Sequence, residues 1–260
     1  MSTVDQVSLP EIAPPPPARG VEWAKARTAL GRLIADPEQT ERVFELIDAL
    51  AGDSGERSFQ RFLKHPNAAS LLAEKPSLLR TLADLETLET LPAGSFGQEY
   101  ARFMRVAGLR ADGLVDAADE AETRGDRDDL DPNRRFYYDR LRDMHDLWHV
   151  LTGYGRDLAG EAANLAFTYA QTRNRGIAAI VLAAAFRGPT TLDCHWQRYL
   201  WQAYRRGCAT EWLPAAKYEE LLPLPIDDVR RRLRIAPPEV IHPATGVLVS
   251  DGETLIASPS

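Results

Sequence analysis

Residues 131–161 read DPNRRFYYDRLRDMHDLWHVLTGYGRDLAGE, and this stretch decides how the chain is interpreted. Asp131-Pro132 is typical of a helix start, because proline is favoured at the first helical position. The apolar positions that follow predict one long helix that continues to Thr152. Gly153 and Gly155 then end that helix.

Two histidines, His145 and His149, lie four residues apart in this predicted helix. They are about 40° apart around the helix axis, so both imidazoles can reach one point. Helical metalloenzymes present two nitrogen ligands with this geometry. Asp146 lies about 100° from His145 around the axis, and we expect it to bind the same ion or to orient a ligand.

Glu161 follows His149 by twelve positions, with glycines between them. A turn there would send the next helix back antiparallel, with Glu161 near its start and facing the histidines. Two nitrogens with one or two carboxylates leave open coordination positions for water, oxygen or substrate. The pattern predicts one divalent metal ion held by His145, Asp146, His149 and Glu161, and it fits zinc, iron, manganese or cobalt.

Spacing alone leaves other interpretations of the histidine pair open. A His-x-x-x-His pair also occurs by chance on an amphipathic helix. The zincin metalloprotease signature needs glutamate at position 146, where this chain has Asp146, so a protease is disfavoured. The His-Asp doublet also occurs in phosphohydrolases that need an upstream histidine, for which His65 is the only candidate.

Helical periodicity extends over most of the remaining chain, which predicts an all-α, single multi-helix bundle-like domain. Residues 1–20 contain Pro14 to Pro17 and are interpreted as a flexible lead-in. Residues 21–236 form the helical metal-binding domain, and 237–260 form an irregular tail with a small hairpin near Asp251-Gly252. Besides the long helix, predicted helices span about 23–34, 54–64, 77–88, 98–107, 112–124, 158–174, 176–187, 192–207 and 226–234. A further predicted helix is capped by Asp36, begins at Pro37 and includes Leu50 on its apolar face.

Composition and charge limit the classes of partner. The net charge of −7 argues against broad nucleic-acid binding, which requires a basic surface. Cys194 and Cys208 form no CxxC motif, which favours a reducing, cytoplasmic setting. The apolar stretch Ile177–Phe186 falls well short of the ~20 residues that span a bilayer. A basic cluster, Arg230 to Arg232 with Arg234, indicates either a solvated helix face or attraction to anionic lipid.

Several separate blocks, spread over roughly residues 70 to 210, occur in the order expected for a known family. The whole set resembles the fourth component of the ubiquinone (coenzyme Q) biosynthesis complex. The blocks are Gly94-Ser95-Phe96-Gly97, Tyr100-Ala101, Phe103-Met104, Arg142, His145-Asp146-Leu147-Trp148-His149, Gly160-Glu161, Gln171-Thr172 and Ala184-Ala185-Phe186. The chain departs from the family at Thr152-Gly153-Tyr154-Gly155-Arg156, where the usual pattern is Leu-Gly-x-Pro-Thr.

The resemblance implies a role in ubiquinone biosynthesis. It implies a metal-dependent decarboxylase that replaces a carboxyl by a hydroxyl at ring carbon 1 of a prenylated 4-hydroxybenzoate derivative, with molecular oxygen as co-substrate. Arg142 would then hold the substrate carboxylate, with a helix-surface or capping role as the alternative for this residue. The alternative is a non-catalytic scaffold that binds an isoprenoid lipid and organises the other ubiquinone biosynthesis enzymes. In either case we expect a homodimer that contacts the inner face of the membrane peripherally.

Overall fold

A computed structural model describes residues 8–35, 40–108, 130–187 and 194–239. Within these ranges, the side chains of residues 33–44 and 186–195 are not described. Within these ranges the chain forms fourteen α-helices and no strand, which confirms the predicted all-α class. The predicted helix 112–124 and the predicted hairpin near Asp251-Gly252 lie outside the described residues.

The helices follow one another with short connections. The first seven are α1 (Trp23–Ala35), α2 (Thr40–Ala51), α3 (Ser54–Leu63), α4 (Ala68–Glu74), α5 (Leu78–Ala83), α6 (Leu85–Glu89) and α7 (Phe96–Val106). The others are α8 (Pro132–Asp143), α9 (His145–Thr152), α10 (Leu158–Thr172), α11 (Arg175–Arg187), α12 (Cys194–Ala209), α13 (Tyr218–Leu221) and α14 (Ile226–Arg232). A single 3-10 turn, Leu213–Ala215, lies between α12 and α13.

The long helix predicted from residue 131 to Thr152 is two helices, α8 and α9, which meet at Met144. Met144 keeps near-helical angles (φ −82°, ψ −1°), and its amide still donates to the Arg140 carbonyl at 3.1 Å. The interruption is therefore slight, and no proline or glycine in the sequence signals it. As a result, both histidines lie on an eight-residue helix of their own.

The predicted helix 77–88 is also divided, into α5 and α6. The carboxylate of Asp84 accepts a hydrogen bond from the Thr87 amide at 3.1 Å, which caps a new helix start. Ser95 caps α7 in the same way by accepting from the Gln98 amide at 3.3 Å.

The main hydrophobic core surrounds α9. Trp148 is 1% exposed, and its indole N–H donates to the Tyr218 hydroxyl at 2.7 Å. The ring of Trp148 also meets the ring of Phe167 edge-on, with centroids 6.1 Å apart. A short helix is marginal in isolation, so we attribute the position of α9 to this packing. None of the described helices is both long and apolar enough to cross a bilayer.

The described part of the proline-rich lead-in lies along α8. The side-chain amide of Asn133 donates to the Glu11 carbonyl at 3.2 Å, and the Arg134 guanidinium donates to the Ala13 carbonyl at 3.0 Å. Ile12 packs against a second core cluster that contains Phe59. Residues 8–20 contain no helix or strand, as the run of prolines predicts.

Arg134 joins the lead-in, α3 and α8. Its side chain is 2% exposed, and it donates two parallel hydrogen bonds to Glu56, at 2.9 and 3.0 Å. The guanidinium also lies 5.0 Å from the ring centroid of Phe59. Burial tends to raise the pKa of Glu56, but the bonds from Arg134 outweigh it and hold that pKa below its ordinary value.

We expect Glu56→Gln to lower the free energy of unfolding by about 1–3 kcal/mol at neutral pH, because Arg134 would lose its two charge-assisted hydrogen bonds and keep the longer contact with Asp131 at 3.5 Å. A depressed carboxyl pKa stabilises the fold above the unfolded-state pKa of about 4.3, and this contribution is lost as pH falls through the folded value. The mutant and wild-type stabilities should therefore converge in acid. Chemical denaturation at several pH values measures both effects.

The control for this substitution is Glu89→Gln, which removes a surface partner of Arg105 at 2.8 Å. Exposed ion pairs contribute little to stability, so this variant should unfold with the wild-type midpoint. Equal losses of unfolding free energy in the two variants would show that the Arg134–Glu56 pair stabilises the fold no more than a surface ion pair does.

Candidate metal centre

His145, His149 and Glu161 come together where α9 meets the first turn of α10, and Asp146 lies beside the two histidines. The Nε2 atoms of His145 and His149 are 3.2 Å apart. Oε2 of Glu161 lies 3.3 Å from Nε2 of His149 and 3.7 Å from Nε2 of His145. Ligand atoms of His145, Asp146 and His149 all lie within 4.8 Å of one another, a spacing that could hold a metal ion.

The tautomer of His149 fits a metal ligand. Its Nδ1 lies 2.9 Å from the Tyr154 backbone oxygen. Because a carbonyl oxygen can only accept, Nδ1 must carry the proton, and the neutral ring then keeps the lone pair on Nε2. Metal-binding histidines are commonly oriented by such a bond to the other ring nitrogen. Phe103 holds the ring from one face, with centroids 5.9 Å apart.

Glu161 is placed by the N-terminal cap of α10. The carboxylate of Asp157 accepts hydrogen bonds from the amides of Ala159 and Gly160, at 3.0 and 3.1 Å. Glu161 therefore stands in the first turn, where the helix dipole favours a negative charge. The predicted turn that returns α10 with Glu161 facing the histidines is present in the structure.

The same turn depends on the absence of a side chain at Gly160. A Cβ atom there would lie 2.5 Å from the carbonyl carbon of Gly155 and 2.7 Å from its nitrogen, and closer still to its oxygen. Backbone atoms cannot move aside as a flexible side chain can. Glycine is required at this position so that the loop after α9 can pass over the start of α10.

The charges at the site stabilise one another. Burial tends to lower the pKa of His149, but attraction to Glu161 outweighs it, and the pKa is raised above its ordinary value. Burial tends to raise the pKa of Glu161, yet the two imidazoles hold that pKa well below its usual range. A carboxylate beside two imidazoles attracts a cation, which must then compete with a proton on His149.

Two arginines cap the C-terminal end of α9, and sequence inspection missed both roles. Arg230 donates to the carbonyls of Leu151 and Val150, each at 3.1 Å. Arg206 donates to the carbonyl of Thr152 at 2.7 Å. Cations at a helix C-terminus satisfy carbonyls that have no intrahelical partner and interact favourably with the dipole. These contacts fix the end of the helix that carries the histidines.

The basic cluster on α14 is largely paired within the protein. Besides the helix-capping Arg230, Arg231 forms an ion pair with Asp228, and Arg234 lies 3.0 Å from Glu211. Attraction of this cluster to anionic lipid stays a prediction.

Arg142 does not join the four ligand residues. Its guanidinium donates to Asp143 at 3.0 and 2.9 Å and to Asp139 at 3.4 Å. A substrate carboxylate would have to compete with Asp143 for these donors. The assignment of Arg142 to substrate binding therefore stays a prediction.

The site is buried on one side and accessible on the other. His149 is 0% exposed and Asp146 is 8% exposed. In contrast, the side chains of His145 and Glu161 are 26% and 33% exposed. A small molecule can therefore approach the group between His145 and Glu161.

Comparisons with known proteins find the same family that the sequence blocks resemble. The family model described as coenzyme Q (ubiquinone) biosynthesis protein Coq4 matches residues 23–239. The ubiquinone biosynthesis protein COQ4 homolog, mitochondrial, of Danio rerio is 28% identical over 226 residues, which cover 83% of this chain and 78% of the relative. The protein of the same description from Nematostella vectensis is 27% identical over 215 residues, covering 78% and 96%.

A crystal structure of a Nostoc punctiforme protein has a similar fold. It superposes with a TM-score of 0.60 at 22% sequence identity, and the match covers 83% of this chain and 99% of that one. At this identity the likeness concerns the fold alone.

We expect Gly160→Ala to displace the loop at Gly155 and to separate Glu161 from the histidines. Overpacking of this kind typically costs about 1–3 kcal/mol of stability. Purified protein should therefore contain less bound metal by elemental analysis, and its thermal midpoint should fall.

The matched control is Gly31→Ala in α1, where a Cβ atom would meet nothing within 4 Å. Alanine is the better helix former by about 0.8–1.0 kcal/mol, so this variant should retain metal and unfold no earlier than wild type. Full metal content in Gly160→Ala would mean that the close approach to Gly155 is not needed for the site.

Proposed function

Because the chain belongs to the Coq4 family of coenzyme Q (ubiquinone) biosynthesis proteins, which supports a role in that pathway, we propose that it is a metal-dependent enzyme. The proposed reaction is the oxidative decarboxylation of a prenylated 4-hydroxybenzoate derivative. The carboxyl group at ring carbon 1 leaves as carbon dioxide and a hydroxyl group replaces it.

The partial exposure of the candidate ligand set is the observation that favours an enzyme over a protein with a structural metal. His149 and Asp146 are buried, whereas His145 and Glu161 are each partly exposed. Catalytic metal sites keep a position for water or substrate, whereas structural sites are closed by four protein ligands. The exposed edge between His145 and Glu161 supplies such a position.

His145, His149 and Glu161 would hold the ion, with Asp146 as a fourth ligand or as a proton carrier. When bound, a divalent metal supplies Lewis-acid or redox chemistry that suits oxygen and phenolic substrates. The protein orients His149 through the Tyr154 carbonyl, and the buried side of the site excludes water from that ring. As a proton carrier, Asp146 would take up or release a proton beside the reacting group.

The proposed reaction is a two-electron oxidation of the substrate, in which water supplies the hydroxyl oxygen and molecular oxygen accepts the two electrons and two protons to leave as hydrogen peroxide. The bond between ring carbon 1 and the carboxyl carbon breaks, and a carbon–oxygen bond forms at the same ring carbon. The prenyl chain would lie against apolar helices, and the protein would work as a homodimer peripheral to the inner face of the membrane.

A second candidate function is a non-catalytic scaffold that binds a prenylated lipid and presents it to the other biosynthesis enzymes. The closeness of Asp146 to the two histidines favours this alternative, because Asp146 with His145, His149 and Glu161 would make the four protein ligands that are typical of a structural metal site. The two functions differ in whether loss of metal abolishes turnover or only stability.

We expect His149→Ala to lose bound metal, since it removes a ligand and leaves Glu161 without its nearest imidazole. Metal affinity of the wild type should fall as the pH is lowered, because protons compete for the histidines. Elemental analysis and metal titration at several pH values measure both. His65→Ala is the control, as His65 contacts the Asn67 amide at 3.2 Å and lies outside the site.

A deletion strain distinguishes the enzyme from the scaffold. Without the protein, a prenylated carboxylate intermediate should accumulate and ubiquinone should be lost. The wild type and His65→Ala should restore ubiquinone, whereas His145→Ala should leave the carboxylate unconverted. Restoration by His145→Ala at wild-type protein levels would exclude catalysis at this site and favour the scaffold.

A further inference from the structure

Asn164, on α10, is a buried polar residue whose side chain has no hydrogen-bond partner among the described residues. It is 0% exposed, and in the described part of the chain neither its side-chain nitrogen nor its oxygen forms a hydrogen bond. An amide has two N–H donors and an oxygen acceptor, and burying them unbonded is unfavourable. Nearly all buried polar groups have a partner, so this amide points to a bound molecule.

The position of Asn164 on α10 directs it towards α9. Glu161, three residues earlier, contacts the histidines of α9, and Phe167, three residues later, meets the ring of Trp148. Asn164 lies about 60° around the helix axis from each of these two residues, and between them along the axis. It therefore stands on the face that α10 turns towards α9, about 4.5 Å along the axis from Glu161.

Thr168 continues the same line of polar residues. It follows Asn164 by four positions and Glu161 by seven, so the three share one helix face. The Oγ1 atom of Thr168 is buried and also has no hydrogen-bond partner within the described ranges. A carboxylate, an amide and a hydroxyl thus lie in one row along α10 that begins at the candidate ligand set.

We propose that Asn164, supported by Thr168, binds the ring hydroxyl of the substrate whose carboxyl group lies at His145, His149 and Glu161. This inference rests on the proposed function. A neutral amide both donates to and accepts from a hydroxyl group, and it adds no charge near the carboxylate of Glu161.

The test compares two ligands and two proteins by titration calorimetry on the metal-loaded full chain. The ligands are 3-geranyl-4-hydroxybenzoate and 3-geranylbenzoate, which lacks the ring hydroxyl. The variant is Asn164→Leu, which is similar in size but apolar. For wild type we expect the hydroxylated ligand to bind about tenfold more tightly than its analogue, and for Asn164→Leu we expect the two ligands to bind equally.

Stability and metal content complete the test. Removing an unbonded buried amide should leave the thermal midpoint of Asn164→Leu equal to or above that of wild type, with metal retained. Leu165→Ala, a half-buried neighbour on the same helix, is the control and should keep the preference for the hydroxylated ligand. If leucine prevents folding, Asn164→Ala and Thr168→Val take its place, and each should reduce the preference.

The outcomes separate this inference from the proposed function. If Asn164→Leu keeps the tenfold preference, the amide binds only a buried water and the inference is wrong, while the proposed function stands. If wild type binds neither ligand with metal present, the proposed function fails and the inference fails with it.

Discussion

The hydrogen bond from Nδ1 of His149 to the carbonyl oxygen of Tyr154 is the contact on which the site depends. It closes the end of α9 onto the loop that follows, and it fixes which ring nitrogen keeps a lone pair. The same loop then passes over Gly160 and delivers Glu161 to the histidines. The backbone oxygen of Tyr154 thus fixes both which nitrogen of the His149 ring carries the proton and the path of the loop after α9.

Helix α9 has eight residues, so its own hydrogen bonds are a weak source of stability. Tertiary contacts hold it from three sides: Trp148 in the core, Phe103 against His149, and Arg206 and Arg230 at the C-terminal carbonyls. The helix is consequently only as rigid as its neighbours. The geometry of the candidate ligands in this fold is set by packing between distant segments more than by helix propensity.

Much of the ligand set could be predicted because its spacing is local. Two histidines one turn apart and a glutamate just beyond a glycine turn follow from helix geometry, and the structure brings these residues together. The break at Met144 and the burial of Asn164 could not be predicted. Neither carries a local signal, since both depend on how helices far apart in the sequence meet.

The contact between Arg134 and Ala13 affects how the chain folds while it is being synthesised on the ribosome. The two residues are 121 positions apart, so the lead-in leaves the ribosome long before its partner exists. At about 5–20 residues per second, synthesis reaches Arg134 roughly 6–24 s after Ala13 has been made. During that delay, the four prolines keep the nascent segment extended and unable to form a helix. It is therefore still available when α8 emerges.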